Sequence, residues 1–418
     1  MSGGGQRLSR KDFLVLGGLG ASTVAVGGLL GKSGLGFGGS VAEAQPAPGA
    51  MRRRLVATDG HIALPGRPAY PDPDLYVFGF VEASPDDSIA KVTQDFKGKV
   101  QVPAPILGVD EDQEFLLILT NVGLLARPDL DDSHTVHWHG FRNPIALFDG
   151  VPEVSIAVPV YRDFPYVYKP RDEGTYMYHC HFEDSEHVQL GMTGVVFVRP
   201  DKGAHFAYDD TDGSTAFERE FTLLLNEIDQ RPHDGLEQIQ EFVWSDYEPQ
   251  YWIINGRSYP DTAALGGANT PTNLTFQPIS SLMQVNPGDR ALMRLVNLGY
   301  EQQAMQLVGI PMKVVGEDAT FLRSADGLTD LSYGAHTIYI GPGESRDILF
   351  TAPAFTTSAP VLTDGVGNYN QYLFANRSSY KNANPGVSGL GGQVTEVRVY
   401  QGGPLPPQTE PNQTYASA

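Results

Sequence analysis

The 418-residue sequence is poor in cysteine, histidine and basic residues. Its one cysteine, Cys180, excludes a framework of intramolecular disulfides. Basic residues number 29 against 49 acidic residues, which gives a formal net charge of -20 at pH 7. Nucleic acid and anionic membranes would repel this charge, so neither is expected as a partner. The acidity is otherwise typical of a well-solvated protein surface.

The sequence between about 55 and 400 also lacks the periodicity of a long helix. The 47 glycines and 31 prolines favour short strands separated by turns. Many short strands indicate β-sandwiches or barrels, and the length suits two domains. The sequence therefore predicts an all-β protein with two β-sandwich domains. Strands are predicted at residues 114–121, 175–179, 194–198, 220–225, 291–297, 312–315, 337–340 and 394–400.

Residues 1–49 are predicted to be an export signal outside the fold. Residues 9–14 resemble a twin-arginine export motif in which Lys11 replaces the second arginine. A weakly apolar, glycine-rich run at 14–30 and a small-x-small site at 42–44 follow. The run is marginal for a permanent span, so we expect a periplasmic, cell-surface or extracellular protein without stable membrane insertion after signal removal. A disordered tail and an uncleaved anchor are the alternatives.

The remaining boundaries follow from composition. Residues 50–200 are predicted as the first domain and residues 217–402 as the second. The polar, turn-rich residues 201–216 between them are predicted to be a linker. Residues 403–418 are rich in Pro, Gln, Asn and Thr and are predicted to be a flexible tail.

Six of the ten histidines lie in two short segments, and each segment contains a His-x-His pair. Residues two apart in a strand face the same side, so His137 and His139 point together. The same holds for His179 and His181, while Cys180 between them points to the opposite side. One strand is therefore predicted to present imidazoles to one metal site and a thiolate to another.

The residue types favour copper. Two histidines, a cysteine and a weak axial methionine form the ligand set of blue-copper electron-transfer sites. His134, Cys180, His187 and Met192 supply that set. Zinc is the main metallic alternative, but one cysteine among paired histidines is not a usual structural zinc pattern.

These motifs resemble those of the multicopper oxidases, the laccase-like family of cupredoxin proteins. The resemblance implies two cupredoxin-like Greek-key β-sandwich domains. It extends through the second half of the chain, where residues 254–261 match moderately. The residues that carry it are His134-x-x-His137-Trp138-His139-Gly140, His179-Cys180-His181, His187, Gly191-Met192, Asp149-Gly150-Val151-Pro152 and the segment 174–178.

The resemblance implies a division of labour among coppers. A phenolic, amine or metal-ion reductant gives one electron at a time to type 1 copper, and electrons pass along the Cys–His link to a cluster that reduces oxygen to water. Asp149 matches an acidic residue that assists proton delivery near the cluster. The implied ligands are His134, Cys180, His187 and Met192 for type 1 copper, His137 for type 2 copper, and His139, His179 and His181 for type 3 copper.

The sequence departs from the family in its histidine count. The family's cluster takes eight histidines from four His-x-His pairs, whereas this chain has two pairs. In the second half, Gln306 and Val308 stand where imidazoles would be expected, so the second domain is expected to be copper-free. Either first domains of two subunits complete the cluster across a two-fold axis, or the chain holds fewer coppers. The isolated histidines, expected to be structural or exposed, are His61, His205, His233 and His336.

A second departure is the seven-residue interval between Cys180 and His187, which is longer than usual in laccases. It contains Glu183, Asp184 and Glu186, which are either solvated charges or attract cationic reductants. Two other functions remain open. One is a nitrite-reductase-like enzyme with a mononuclear type 2 copper between subunits, and the other is an electron carrier that uses type 1 copper alone.

Overall fold

The computed structural model describes residues 50–67, 73–142 and 145–406. The predicted export signal and residues 407–418 of the predicted tail lie outside this range. The described residues are mostly β, with strands gathered into four sheets and only short helices, so the all-β prediction is confirmed. Among the described residues, no helix has the length and apolarity needed to cross a membrane.

The first sandwich is formed by two four-stranded sheets. One sheet has the order β2-β1-β4-β6, and the other has the order β3-β8-β7-β5. The bounds of these strands are β1 (Met51–Ile62), β2 (Leu75–Ala83), β3 (Leu107–Asp110), β4 (Phe115–Asn121), β5 (His137–His139), β6 (Arg162–Tyr168), β7 (Gly174–His179) and β8 (Thr193–Arg199).

Aromatic side chains fill the space between these two sheets. Trp138, the middle residue of β5, is fully buried, and its ring stacks on Tyr168 at a centroid distance of 4.1 Å. Because side chains alternate along a strand, burying Trp138 directs His137 and His139 away from the core. Truncating such a buried tryptophan costs about 3–5 kcal/mol, so the core fixes which way this histidine pair faces.

The second sandwich contains the remaining strands. One sheet has the order β10-β9-β12-β18-β14-β15, with β16 also paired to β14, and the other has the order β11-β21-β20-β13-β17, with β19 paired to β20. Their bounds are β9 (Arg219–Ile228), β10 (Tyr251–Ile254), β11 (Met283–Val285), β12 (Arg290–Asn297), β13 (Gln303–Leu307), β14 (Met312–Glu317), β15 (Thr320–Phe321), β16 (Tyr333–Ala335), β17 (Ile338–Ile340), β18 (Glu344–Thr351), β19 (Leu362–Thr363), β20 (Asn368–Asn376) and β21 (Val394–Tyr400).

The described α-helices are α1 (Ile89–Phe96), α2 (Asp184–Leu190) and α3 (Gln230–Glu237). Ser88 and Asp229 cap α1 and α3 by accepting backbone N–H bonds. Helix α2 ends at Gly191, whose φ is 118° and whose added Cβ would lie 2.8 Å from the carbonyl oxygen of Phe78. Short 3₁₀ turns lie at Ala146–Phe148, Trp244–Asp246, Asp261–Ala263, Gly267–Asn269, Thr272–Leu274 and Ser379–Asn382.

Buried polar contacts join the two sandwiches. Asp347 of β18 accepts hydrogen bonds from Thr175 of β7 and from Tyr208, both at 2.6 Å. Arg294 of β12 is fully buried and donates to Thr175 at 2.8 Å and, within the second sandwich, to Glu220 at 2.6 Å. Tyr208, which lies in the predicted linker, is also fully buried. A buried charge that lost its partner would cost several kcal/mol, so this network restricts how the two sandwiches move.

All eight predicted strand segments fall on observed strands. Strands β1 and β2 were not predicted. β1 begins with three arginines and includes Asp59, Gly60 and His61, so it lacks an obvious apolar pattern. Its pairing with β2 and β4 overrides that weak local signal.

Candidate metal centre

The side chain of Cys180 meets two histidines in the first sandwich. Its Sγ lies 3.4 Å from Nδ1 of His187 and 3.9 Å from Nδ1 of His134. All three residues are buried. This arrangement brings a thiol and two imidazole nitrogens to one point inside the protein.

Three different local structures carry these side chains. Cys180 directly follows β7, and His134 lies in an isolated bridge with Val158, to which it is joined by backbone hydrogen bonds of 3.1 and 2.8 Å. His187 lies on helix α2. The long interval from Cys180 to His187 is therefore used to build a helix.

The backbone of Met192 forms hydrogen bonds with both His187 and Cys180. Its backbone N–H donates to the carbonyl of His187 at 3.0 Å, and its own carbonyl accepts from the N–H of Cys180 at 3.1 Å. The side chain is fully buried in the same apolar cluster as Cys180. The backbone of Met192 is thus held between Cys180 and His187, and its side chain lies in the same buried cluster as Cys180.

The donor chemistry fits copper. Burial, followed by the neighbouring His187, lowers the pKa of His134 well below its usual value and keeps its nitrogen free of a proton. For His187, burial lowers the pKa, but negative charge on Cys180 and Asp132 outweighs it and raises the pKa to about 10. A bound metal cation would take the place of that proton. Two imidazoles, a thiolate and a thioether are the blue-copper set.

A second group of histidines lies on the other side of Cys180. One ring nitrogen from each of His137, His139 and His179 lies within 4.8 Å of the others. His181 is not in this compact group, but its ring centroid is 5.3 Å from that of His137. The structure therefore brings all four paired histidines together and leaves one of them at the edge.

Backbone carbonyls orient two of these imidazoles. Nδ1 of His137 donates to the carbonyl of Asp149 at 2.6 Å, and Nδ1 of His179 donates to the carbonyl of Cys180 at 2.9 Å. Both bonds leave Nε2 available to a metal. Burial lowers the pKa of His137 and His139, and lowers that of His179 to about 3. The group is therefore neutral and ready to bind a cation.

The turn after Asp149 packs directly against the strand that carries His137. Gly150 has a φ of 78°, and a Cβ on it would lie 2.2 Å from the carbonyl oxygen of Val136. The Asp149 carboxylate is 3.5 Å from Nδ1 of His137. Asp149 thus contacts the histidine group mainly through its carbonyl, with its carboxylate nearby.

Thr135 connects the two sites, and sequence reasoning did not single it out. Its N–H donates to Sγ of Cys180 at 3.4 Å, and its Oγ1 accepts from the N–H of His181 at 2.9 Å. The sequence feature that could have identified Thr135 is its position between His134 and His137. The two sites are also joined covalently, because Cys180 lies between His179 and His181 in the chain.

The second sandwich covers one edge of the histidine group. A Cβ on Gly343 would lie 3.2 Å from Nε2 of His139, so its backbone lies against that ring. The side chains of His137 and His181 keep 17% and 31% of their surface exposed. His139 is partly exposed as well, so the group is open on the side that His137, His139 and His181 share.

The remaining histidines lie apart from both groups. His61 lies 2.7 Å from Glu237, His205 packs beside Phe217, and His336 is exposed. His233 is fully buried on α3.

In β13, Gln306 accepts from Arg377 at 3.3 Å. Val308, which follows that strand, is 51% exposed. Within the described ranges, the candidate metal-binding groups all lie in the first sandwich.

Comparisons with known proteins agree with this geometry. The family model described as multicopper oxidase matches residues 82–203, which span every ligand named above. The chain is 23% identical over 288 residues to putative laccase-11 of Oryza sativa subsp. japonica, covering 65% of this chain and 46% of that protein. It is 30% identical over 192 residues to copper resistance protein A of Escherichia coli, covering 46% of this chain and 28% of that protein. The chain thus matches less than half the length of these relatives.

Solved structures show the same fold. The blue copper oxidase of Nitrosomonas europaea aligns with a TM-score of 0.61 and 22% identity, covering 84% of this chain and 86% of that chain. A copper nitrite reductase of Nitrosomonas europaea aligns with a TM-score of 0.55 and 16% identity, covering 84% and 94%. The predicted cupredoxin-like fold and the resemblance to multicopper oxidases are therefore confirmed.

Proposed function

We propose that this relative of the multicopper oxidases is a laccase-like oxidoreductase that couples one-electron oxidation of a reductant to the reduction of oxygen to water. One observation carries the proposal. The thiol of Cys180 faces His134 and His187, while the adjacent His179 joins His137 and His139 in a second group. The two groups are therefore joined covalently by the peptide bond between His179 and Cys180.

The ligand roles follow from the two groups. His134, Cys180, His187 and Met192 would hold type 1 copper, His137 would hold type 2 copper, and His139, His179 and His181 would hold type 3 copper. Bound copper supplies one-electron redox chemistry and the reduction of oxygen. The protein keeps the sulfur of Cys180 buried and keeps the imidazoles of His134, His137, His139 and His179 neutral. Backbone carbonyls fix the tautomers of His137 and His179. The Asp149 carboxylate supplies protons beside His137.

The ring of His187 is fully buried, so a reductant would approach the protein surface nearest to its Nε2. Nε2 of His187 lies 3.8 Å from Oδ2 of Asp132, and Glu183 belongs to the same compact group. These acidic groups favour a reductant that donates hydrogen bonds or carries positive charge. Phenols, amines and low-valent metal ions meet that requirement.

A second copy of the chain would complete the oxygen-reducing cluster. The open side of the histidine group is formed by His137, His139 and His181, which are all partly exposed, although Gly343 lies against the His139 ring. Two chains that meet at this open side across a two-fold axis would bring together eight paired histidines. The proposed protein is therefore a homo-oligomer, exported from the cytoplasm by its first 49 residues.

A nitrite-reductase-like enzyme is the second candidate. The compact group of His137, His139 and His179 offers three imidazoles to a single copper within one chain. These three imidazoles could bind one type 2 copper ion without a copper cluster shared between two chains. His181 would then have no copper to bind, which is why we place this function second.

Copper counting distinguishes these functions. Two chains that share a three-copper cluster and keep one type 1 copper each would hold about 2.5 copper ions per chain. A type 1 site with a mononuclear site would hold about two, and an electron carrier about one. Copper per chain should be measured on the purified oligomer under anaerobic conditions, together with electron paramagnetic resonance. About one copper per chain, or nitrite turnover without oxygen consumption, would overturn the oxidase proposal.

Replacing His137 and His139 with alanine separates an oxidase from a carrier. The type 1 spectrum should remain, because Cys180 lies on the opposite side of its strand. Oxygen consumption should be lost. In an electron carrier, the double alanine variant would exchange electrons as fast as the unmodified protein, and neither of the two would consume oxygen.

A further inference from the structure

Helix α2, which carries His187, is attached at both ends to the second sandwich. In its first turn, the carbonyl of Ser185 accepts from the hydroxyl of Tyr300 at 2.6 Å. In its last turn, Nε2 of Gln189 donates to the carbonyl of Glu227 at 3.2 Å. These contacts lie on either side of the copper-ligating histidine.

His233 of α3 connects the same helix to strand β2. Its Nδ1 donates to the carbonyl of Tyr76 at 2.6 Å, and its Nε2 accepts from Nε2 of Gln189 at 3.3 Å. Burial lowers the pKa of His233 to about 4, so the ring is neutral with one donor and one acceptor, both used. Two residues after Tyr76, the ring of Phe78 packs 5.5 Å from that of His187.

The helix needs such contacts. It has seven residues, and a helix this short is not stable by itself in water. Its position therefore depends on what it is bonded to. Small changes in ligand placement and in the hydrogen bonds around a copper site alter its redox potential.

We propose that His233 and Tyr300 are positioning residues of the type 1 site, which place His187 relative to Cys180 from the second sandwich. This rests on the proposed function only in that Cys180 and His187 bind type 1 copper. It assigns a role in that site to a sandwich whose described residues contain no candidate metal-binding group.

The test uses the full, copper-loaded chain in four variants. Tyr300→Phe removes one hydroxyl, and His233→Leu removes both ring hydrogen bonds. His233→Asn retains an amide N–H where Nδ1 donates. Tyr339→Phe is the matched control, because Tyr339 is 65% exposed and lies on β17, away from α2.

Tyr300→Phe and His233→Leu should change the visible absorption and the copper hyperfine splitting of the type 1 site. They should also change the equilibrium constant for electron exchange with a reference couple by about threefold, or roughly 30 mV for one electron. His233→Asn should stay closer to the unmodified protein than His233→Leu does. Tyr339→Phe should change neither quantity.

Unchanged spectra and potential in Tyr300→Phe, with type 1 copper fully bound, would overturn the inference even if His233→Leu did not fold. The same result in a folded His233→Leu would overturn it as well. Absence of type 1 copper in the unmodified chain would instead refute the proposed function, and the inference with it.

Discussion

Replacing Gly150 with alanine should weaken the histidine group and spare the thiolate site. The left-handed backbone at Gly150, with φ of 78°, costs an alanine about 1–2 kcal/mol. The new Cβ would also lie 2.2 Å from the carbonyl oxygen of Val136, about 1.2 Å short of ordinary contact. The turn must therefore move away from the strand that carries His137.

That movement would break the bond from His137 to the carbonyl of Asp149, which now measures 2.6 Å. Losing a partner that orients a metal ligand typically lowers metal affinity by about 10- to 100-fold. Global stability should survive, because a loss of a few kcal/mol is within the ~5–15 kcal/mol of a typical domain. The expected result is a folded protein with weakened copper binding at the histidine group alone.

Gly140→Ala is the matched control. Gly140 has nearly the same φ, 76°, but no atom lies within 4 Å of its added Cβ. It should lose about 1–2 kcal/mol of stability and keep its copper. Copper titration against a competing chelator, with paramagnetic resonance to separate the sites, measures both variants. Equal copper affinity in Gly150→Ala and Gly140→Ala, or a parallel loss of type 1 copper, would refute the reasoning.

Three further predictions concern single residues. Met192→Leu should keep the blue colour and raise the type 1 potential, because the thioether favours oxidised copper; a lower potential by spectroelectrochemistry would contradict this. Asp149→Asn keeps its backbone carbonyl, so copper content should stay unchanged while oxygen consumption falls by about 100-fold; unchanged turnover would exclude its carboxylate from proton delivery. Burial lowers the pKa of His233 to about 4, so the neutral ring stabilises the folded, metal-free protein fully above about pH 6.5. As the pH falls from 6.5 towards 4, the free energy of unfolding should decrease by up to about 3 kcal/mol. Between pH 7 and pH 4, the free energy of unfolding of His233→Asn should change less than that of the unmodified protein. An equal change in both proteins would contradict this role of His233.

Local patterns in the sequence were enough to predict that Cys180 and the paired histidines form two groups, and to predict which way the pairs face. The alternation of a strand follows from backbone geometry alone, so it predicted that Cys180 would face away from His179 and His181. The apolar pattern of residues 115–121 and 394–400 likewise predicted strands that the structure contains. These inferences needed no knowledge of what the strands pack against.

The tertiary structure decided the features that depend on residues far apart in the chain. The sequence of helix α2 gives only a weak local signal for a helix. Its position depends on hydrogen bonds with Tyr300 and Glu227, which both belong to the second sandwich. The burial of His233 has the same origin. These hydrogen bonds join residues 38 and 115 positions apart, so they are set by the packing of the whole fold and not by a local pattern of residues.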